Sequence, residues 1–193
     1  MTSRRTFAFT ALALGAAAPF ARSPFRSRSG TVDVEALARE VERGTDHVDA
    51  IELAAWIKDR KPKLRVFDLR TKEQFDEEHI PTAEHVPMDE IASARIAGDE
   101  TVVLYGEGGA HAGQAWVFLR ALGHERVVFL RTGAYEWVEQ VLNPALPLDA
   151  TDSEREAFAK ASELSHYFGG TPRRDVPRSQ LGTTLRELKR RGC

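Results

Sequence analysis

Two hydrophobic periods alternate along this chain. From about residue 32 to 60 the apolar positions recur every three or four residues, the spacing of helices with one buried face. Val34, Leu37, Ala38 and Val41 predict a helix over about 32–43, capped by Thr31 and ended by Gly44. Leu53, Ala54, Trp56 and Ile57 predict a second over about 50–60, capped by Asp49 and stopped at Lys61-Pro62. The pattern then shortens. Residues 64–69 read as a strand, 101–105 is an almost unbroken apolar run, as in a strand buried on both faces of a parallel sheet, and 127–130 is another buried strand. A short strand is expected near 84–86 and a short helix near 89–95. The stretch carrying Glu73, Phe75 and His79-Ile80-Pro81 reads as a loop. Helices are expected over about 112–122, stopped by Gly123, and over about 134–142, closed by Pro144. Strands alternating with helices give an α/β fold of three layers, a central and mainly parallel sheet flanked by helices. After Pro147 the rhythm changes to an amphipathic helix over 153–167, a break at 168–172 and a basic helical stretch over 181–191. The expected organisation is a signal segment and linker (1–28), a helical extension (29–45), the α/β domain (46–147) and a helical, basic tail (148–193).

Composition narrows the classes. The chain has 193 residues, 42% hydrophobic and 29% charged, and a single cysteine, Cys193. These values exclude collagen-like, disordered and polytopic membrane chains, and one cysteine excludes an intramolecular disulfide framework or a thiolate zinc cluster. The first 28 residues hold five Arg and no acid, and 171–193 hold seven basic and two acidic residues. A net charge of −2 therefore leaves −12 on residues 29–170. Such an acidic body argues against a nucleic-acid partner. Cys193 could link two copies through an intermolecular disulfide.

At the start, Arg4-Arg5 in Ser-Arg-Arg-Thr-Phe precede an uncharged apolar run, 8–18, and then small residues. This order is that of a secretory signal, and the arginine pair resembles the twin-arginine export signal of bacteria. The resemblance implies a periplasmic or otherwise exported protein. The run is too short to span a bilayer, which takes about 20 apolar residues. Membrane contact is expected only through this segment or weakly through the basic tail.

The candidate chemistry sits at Gly106-Glu107-Gly108-Gly109-Ala110-His111, between a buried strand and a helix. Ligands of parallel α/β sheets bind beyond the carboxyl ends of the strands, and glycines before a helix start make an anion cradle. A dinucleotide fingerprint fails, because His111 stands where the third glycine belongs. A phosphate-binding P-loop fails as well, with Gln114-Ala115 in place of Lys and Ser/Thr.

A longer match covers about residues 46–143. Val66-Phe67-Asp68-Leu69-Arg70, Glu73-x-Phe75, His79-Ile80-Pro81-x-Ala83-x-x-x-Pro87, Leu119-x-x-Leu122-Gly123, Val127–Leu130, Gly133 and Trp137 stand in the order and spacing of the rhodanese homology domain, which this stretch resembles. The resemblance implies the rhodanese-like fold and a sulfurtransferase family activity. That activity uses a loop of the form C-x-x-G-x-R-S. Here Gly106 takes the cysteine position, His111 the arginine position and Ala112 the serine position, while Gly109 matches. A glycine cannot carry a persulfide. Glu107 adds a carboxylate that opposes a divalent anion. The expectation is an exported rhodanese-like protein without the usual catalytic cysteine, with a binding or scaffolding role in the cell envelope. Its loop would take a small anion or a protein partner. The alternative is a thiosulfate-type sulfurtransferase carrying its persulfide on Cys193.

The remaining residues are read more plainly. Asp68 and Arg70 are expected to form an ion pair that braces the loop. His79 is structural, His111 is a part-exposed helix-start residue, and His47, His85, His124 and His166 have no metal-ligand spacing. No metal or cofactor is implied. Trp116, Phe118, Leu119 and Leu122, at helical spacing, are expected to be core or helix-packing residues.

Overall fold

The computed structural model describes residues 33–181. The expected signal segment with Arg4 and Arg5, the expected Thr31 cap, nearly all of the 181–191 stretch and Cys193 lie outside the described residues. The first helix, α1 (Val34–Arg43), is capped by Asp33, whose carboxylate accepts from the Ala36 amide at 2.9 Å. Gly44 ends it in the left-handed region at φ 64°. Its apolar side does not enter the core as expected. No α1 residue is buried, Val34 and Val41 are 70% and 54% exposed, and Leu37 is the side chain that packs on the core. An Arg120–Glu40 ion pair ties the helix to the body.

The domain proper begins with β1 (His47–Val48) and α2 (Ala50–Lys58), capped by Asp49. Then come β2 (Leu64–Asp68), α3 (Lys72–Glu77), β3 (Ala83–His85) and a single 3-10 turn at Ile91–Ser93. Next are β4 (Thr101–Tyr105), α4 (Gly109–Ala121), β5 (Val127–Leu130) and α5 (Ala134–Glu136), which widens into a π-helical turn over Trp137–Leu142. The helix α3 stands where a loop was expected. Its Thr71–Gln74 capping box satisfies the first amides without any buried residue, so no apolar stripe announces it. The expected helix near 89–95 is only the 3-10 turn.

Strands β1 to β5 form one parallel sheet in the order β1-β5-β4-β2-β3. Successive residues of a strand point to opposite faces, and the two faces collect separate cores. Val66, Val103, Tyr105 and Leu130 pack with Leu53 and Ile57 of α2, Trp137 and Leu164. Phe67, Val102 and Leu104 pack with Ile91 and with Ala112, Trp116 and Leu119 of α4. Each Leu-sized side chain so buried contributes about 1.5–3 kcal/mol. Phe118 departs from expectation at 50% exposure, because it lies on the solvent side of α4.

Beyond the sheet lie β6 (Ala145–Pro147), α6 (Asp152–Tyr167) and β7 (Arg173–Val176). The chain after the 168–172 break thus returns as a strand, parallel to β6, and ends in a 3-10 turn at Arg178–Gln180. Arg178 grips Glu154 through two hydrogen bonds of 3.0 and 3.1 Å and reaches Asp149 at 2.8 Å. With the Arg178 fork, and then the Thr151 amide and hydroxyl, on it, the Glu154 carboxyl is held at about 2 instead of 4.5.

Candidate functional site

Strand β4 is central, and its carboxyl end opens the loop Gly106-Glu107-Gly108. The helix α4 starts at Gly109, three residues earlier than expected. Ala110 and His111 therefore belong to its first turn, and both are exposed. The first turn is spelled Gly-Ala-His, with no side chain capping the helix, which hides its start from a reading of caps. The leading amides of a helix have no partner within it, so they remain available at the loop.

Backbone packing gives the loop its shape. The Ala134 amide donates to the Gly106 carbonyl at 2.9 Å, and the Tyr135 amide to that of Glu107 at 3.4 Å. Three loop carbonyls crowd Gly133: a side chain there would overlap the Gly106 oxygen and stand 2.8 Å from those of Glu107 and Gly108. Gly133 also has φ 66°, a conformation that disfavours any side chain. At Gly109 an added Cβ would overlap the carbonyl oxygen of Arg131. Gly106 is different. It is buried, but a Cβ there would meet only the Gly108 oxygen at 3.4 Å and the His111 Cβ at 3.9 Å.

Beside the loop, side chains do the bracing. Asp68, at the end of β2 and fully buried, is paired in register with Tyr105. The Tyr105 hydroxyl donates to Asp68 Oδ2 at 2.6 Å and accepts from the Ile80 amide at 3.1 Å. Arg70 clasps both Asp68 oxygens and also donates to the Glu78 carbonyl at 2.6 Å. His85 Nε2 lies 2.8 Å from the Arg70 carbonyl oxygen. Burial, then the Asp68 carboxylate, pushes the Tyr105 phenol well above its ordinary 10. Burial works against the charge of Arg70, yet the carboxylate outweighs it and the guanidinium is held more firmly than usual. Asp68 and Arg70 do form the expected ion pair. A cavity of about 30 Å³ lies between Arg70, Tyr105, Ala134 and Trp137. Ala134, whose amide holds the loop at Gly106, lines this space together with the brace.

Glu136 is a buried acid that the sequence did not single out. It accepts from the Ala50 amide at 3.2 Å and the Thr132 amide at 2.9 Å, pinning the start of α2 to the turn that carries Gly133. A lone Glu in an apolar stretch carries no signal of this role. His79 stacks on Phe75 with ring centroids 4.1 Å apart, and His47 pairs with Asp46 at 2.7 Å. Among the described residues no three His, Cys, Asp or Glu groups gather to hold a metal ion. No helix among them is long and apolar enough to cross a membrane.

The family model described as the rhodanese-like domain matches residues 49–140. That stretch is a rhodanese-like domain. It runs from the cap of α2 to the π-helical turn and contains the loop, the Asp68 brace and Glu136. The chain is 31% identical over 94 residues to a protein named probable adenylyltransferase/sulfurtransferase MoeZ from Mycobacterium tuberculosis, an alignment covering 47% of this chain. It spans about a quarter, 24%, of that relative's length. Among solved structures, a rhodanese-like domain of the Alr3790 protein from Anabaena is 26% identical. That match has a TM-score of 0.44, covering 48% of this chain and 72% of that one. The human single-domain sulfurtransferase TSTD1 is 24% identical at a TM-score of 0.44, covering 49% and 96%. Outside the rhodanese-like domain, α6 still adds Leu164 to the core that α2 builds on the sheet.

Proposed function

We propose that this protein is an exported rhodanese-like module that binds a partner through its Gly106–His111 segment and does not transfer sulfur there. The observation that carries the reading is residue 106. By resemblance it is the nucleophile position, and as glycine it has no atom to accept sulfane sulfur. The uncapped start of α4 offers amides to a small anion or to a carboxylate of a protein partner, and Glu107 selects against a divalent one. The name of the relative includes sulfurtransferase, so the rival is turnover carried by Cys193.

Thiocyanate formation from thiosulfate and cyanide decides between them. The full chain and its Cys193→Ser variant should both be inactive. Activity lost in Cys193→Ser would establish the rival, and activity surviving in it would overturn the whole account of the loop. Titration with sulfate and with acetate, followed by amide chemical shifts, should move Gly106–His111 more with the monoanion. Unmoved loop amides with both would remove the binding role. Export through the twin-arginine route should fall sharply when Arg4 and Arg5 are both replaced by Lys, and normal export of that variant would exclude the route.

A further inference from the structure

A second cavity lies away from the loop. It is a groove of about 350 Å³ between α2, the π-helical turn, β6, β7 and α6. Ile51, Pro147, Ala157, Phe158 and Ala161 give it an apolar floor, and Glu139 and Glu154 supply carboxylates. Ala157 and Ala161 are one helical turn apart on α6, and their small side chains are what leaves the space open.

The chain itself leads into this groove. The Leu148 amide bonds to the Val176 carbonyl at 3.1 Å, Arg178 forks onto Glu154, and Leu181 then lines the groove. The exit point is thereby fixed at the groove's own wall. Twelve residues follow, Gly182 to Cys193. They carry Leu185 and Leu188, four and seven positions after Leu181, together with Arg186, Lys189, Arg190 and Arg191 against a single acidic side chain, Glu187.

We propose that the groove is the seat of the chain's own C-terminal segment, with Leu185 and Leu188 on its apolar floor. Reach is sufficient, because four residues span up to about 13 Å at roughly 3.3 Å each. Tethering helps too: a short linker holds a segment near its site at an effective concentration in the millimolar range, far above that of any free competitor in dilute solution. Charge agrees in sign, since the body is strongly acidic and the segment basic. Among the described residues Arg173 lines the groove from β7, and Arg174 lies over the Phe158 ring. The proposal concerns a surface separate from the loop and does not depend on the binding role given to the loop above.

Cys193 is the only thiol, which makes a site-specific test possible. A nitroxide on Cys193 of the full chain should broaden the amide signals of Ala157, Phe158 and Ala161 and leave those of Gly106–His111 sharp. The pattern should survive tenfold dilution and vanish in Leu185→Asp/Leu188→Asp, two changes outside residues 33–181 that leave the folded body intact by circular dichroism. Three outcomes overturn the proposal. Absent or uniform broadening means the segment does not dock. Broadening of unlabelled isotope-enriched chains mixed with labelled ones means that a second copy occupies the groove. Broadening confined to Gly106–His111 means that the tail visits the loop instead.

Discussion

The loop at the end of β4 and the brace beside it are built on opposite principles. In the brace side chains carry the central contacts: Asp68, Arg70 and Tyr105 are buried or nearly so and satisfy one another within 2.6–3.1 Å. In the loop the decisive feature is where side chains are missing, at Gly109 and Gly133, so that carbonyls and helix can close on each other. The residue at 106 belongs to neither scheme. A side chain there is neither needed for the shape nor excluded by it. Reactivity and architecture are therefore separable at this site, and the presence of a well-made loop says nothing about whether it reacts.

Breaking the brace should have the largest effect. Asp68→Asn removes the charge that Arg70 and Tyr105 share in the interior, and loss of one partner of a buried pair costs about 3–5 kcal/mol. Urea unfolding should show it, and a loss below about 1 kcal/mol would mean that the pair is solvated in practice. Gly133→Ala attacks the loop by backbone alone. Left-handed strain of about 1–2 kcal/mol adds to overlap with the Gly106 oxygen, so the midpoint should fall and the amide signals of 106–108 should move together. A change confined to residue 133 would show that the carbonyls yield freely.

A smaller effect separates the regions by pH. The Tyr105 phenol is raised in the folded chain, so its contribution is complete below pH 10, where the unfolded chain also keeps its proton. It is lost as pH climbs from 10 toward the higher folded value. Melting temperature should thus fall more steeply above pH 10 in the native chain than in Tyr105→Phe, while the loop, which lacks a comparable group, adds nothing. Parallel slopes would show that the phenol is not the titrating element. Gly106→Ala should have the least effect of all, within about 0.5 kcal/mol, because its Cβ meets ordinary contacts. A large loss there would contradict the separation of shape from reactivity.

Much of this was readable in the residues. β5, and β4 after Thr101, are apolar runs because both faces of the sheet are covered, and Asp49 and Gly44 mark helix ends by local chemistry alone. The place of the loop followed from the strand before it. What stayed hidden depends on distant partners or on their absence. β6 and β7 pair through a register no local pattern encodes, with Arg173 and Arg174 facing solvent. The apolar face of α1 predicted burial, but only Leu37 finds a neighbour. The helix α3 is too short and too polar to show a stripe, although Thr71-x-x-Gln74 was there to be read. Glu136 could not be recognised, because its two amide donors come from Ala50 and Thr132, on separate elements.

The strand order also sets a schedule for assembly. β1 is an edge strand whose register joins His47 to Phe129, so the first strand made waits for the last strand of the sheet before it can pair. On a ribosome the sheet cannot close until nearly the whole domain has emerged, and such long-range closure is slow compared with helix formation. A substitution that weakens β5 should therefore delay the seating of the first strand, lengthening the time the chain spends open before it becomes native.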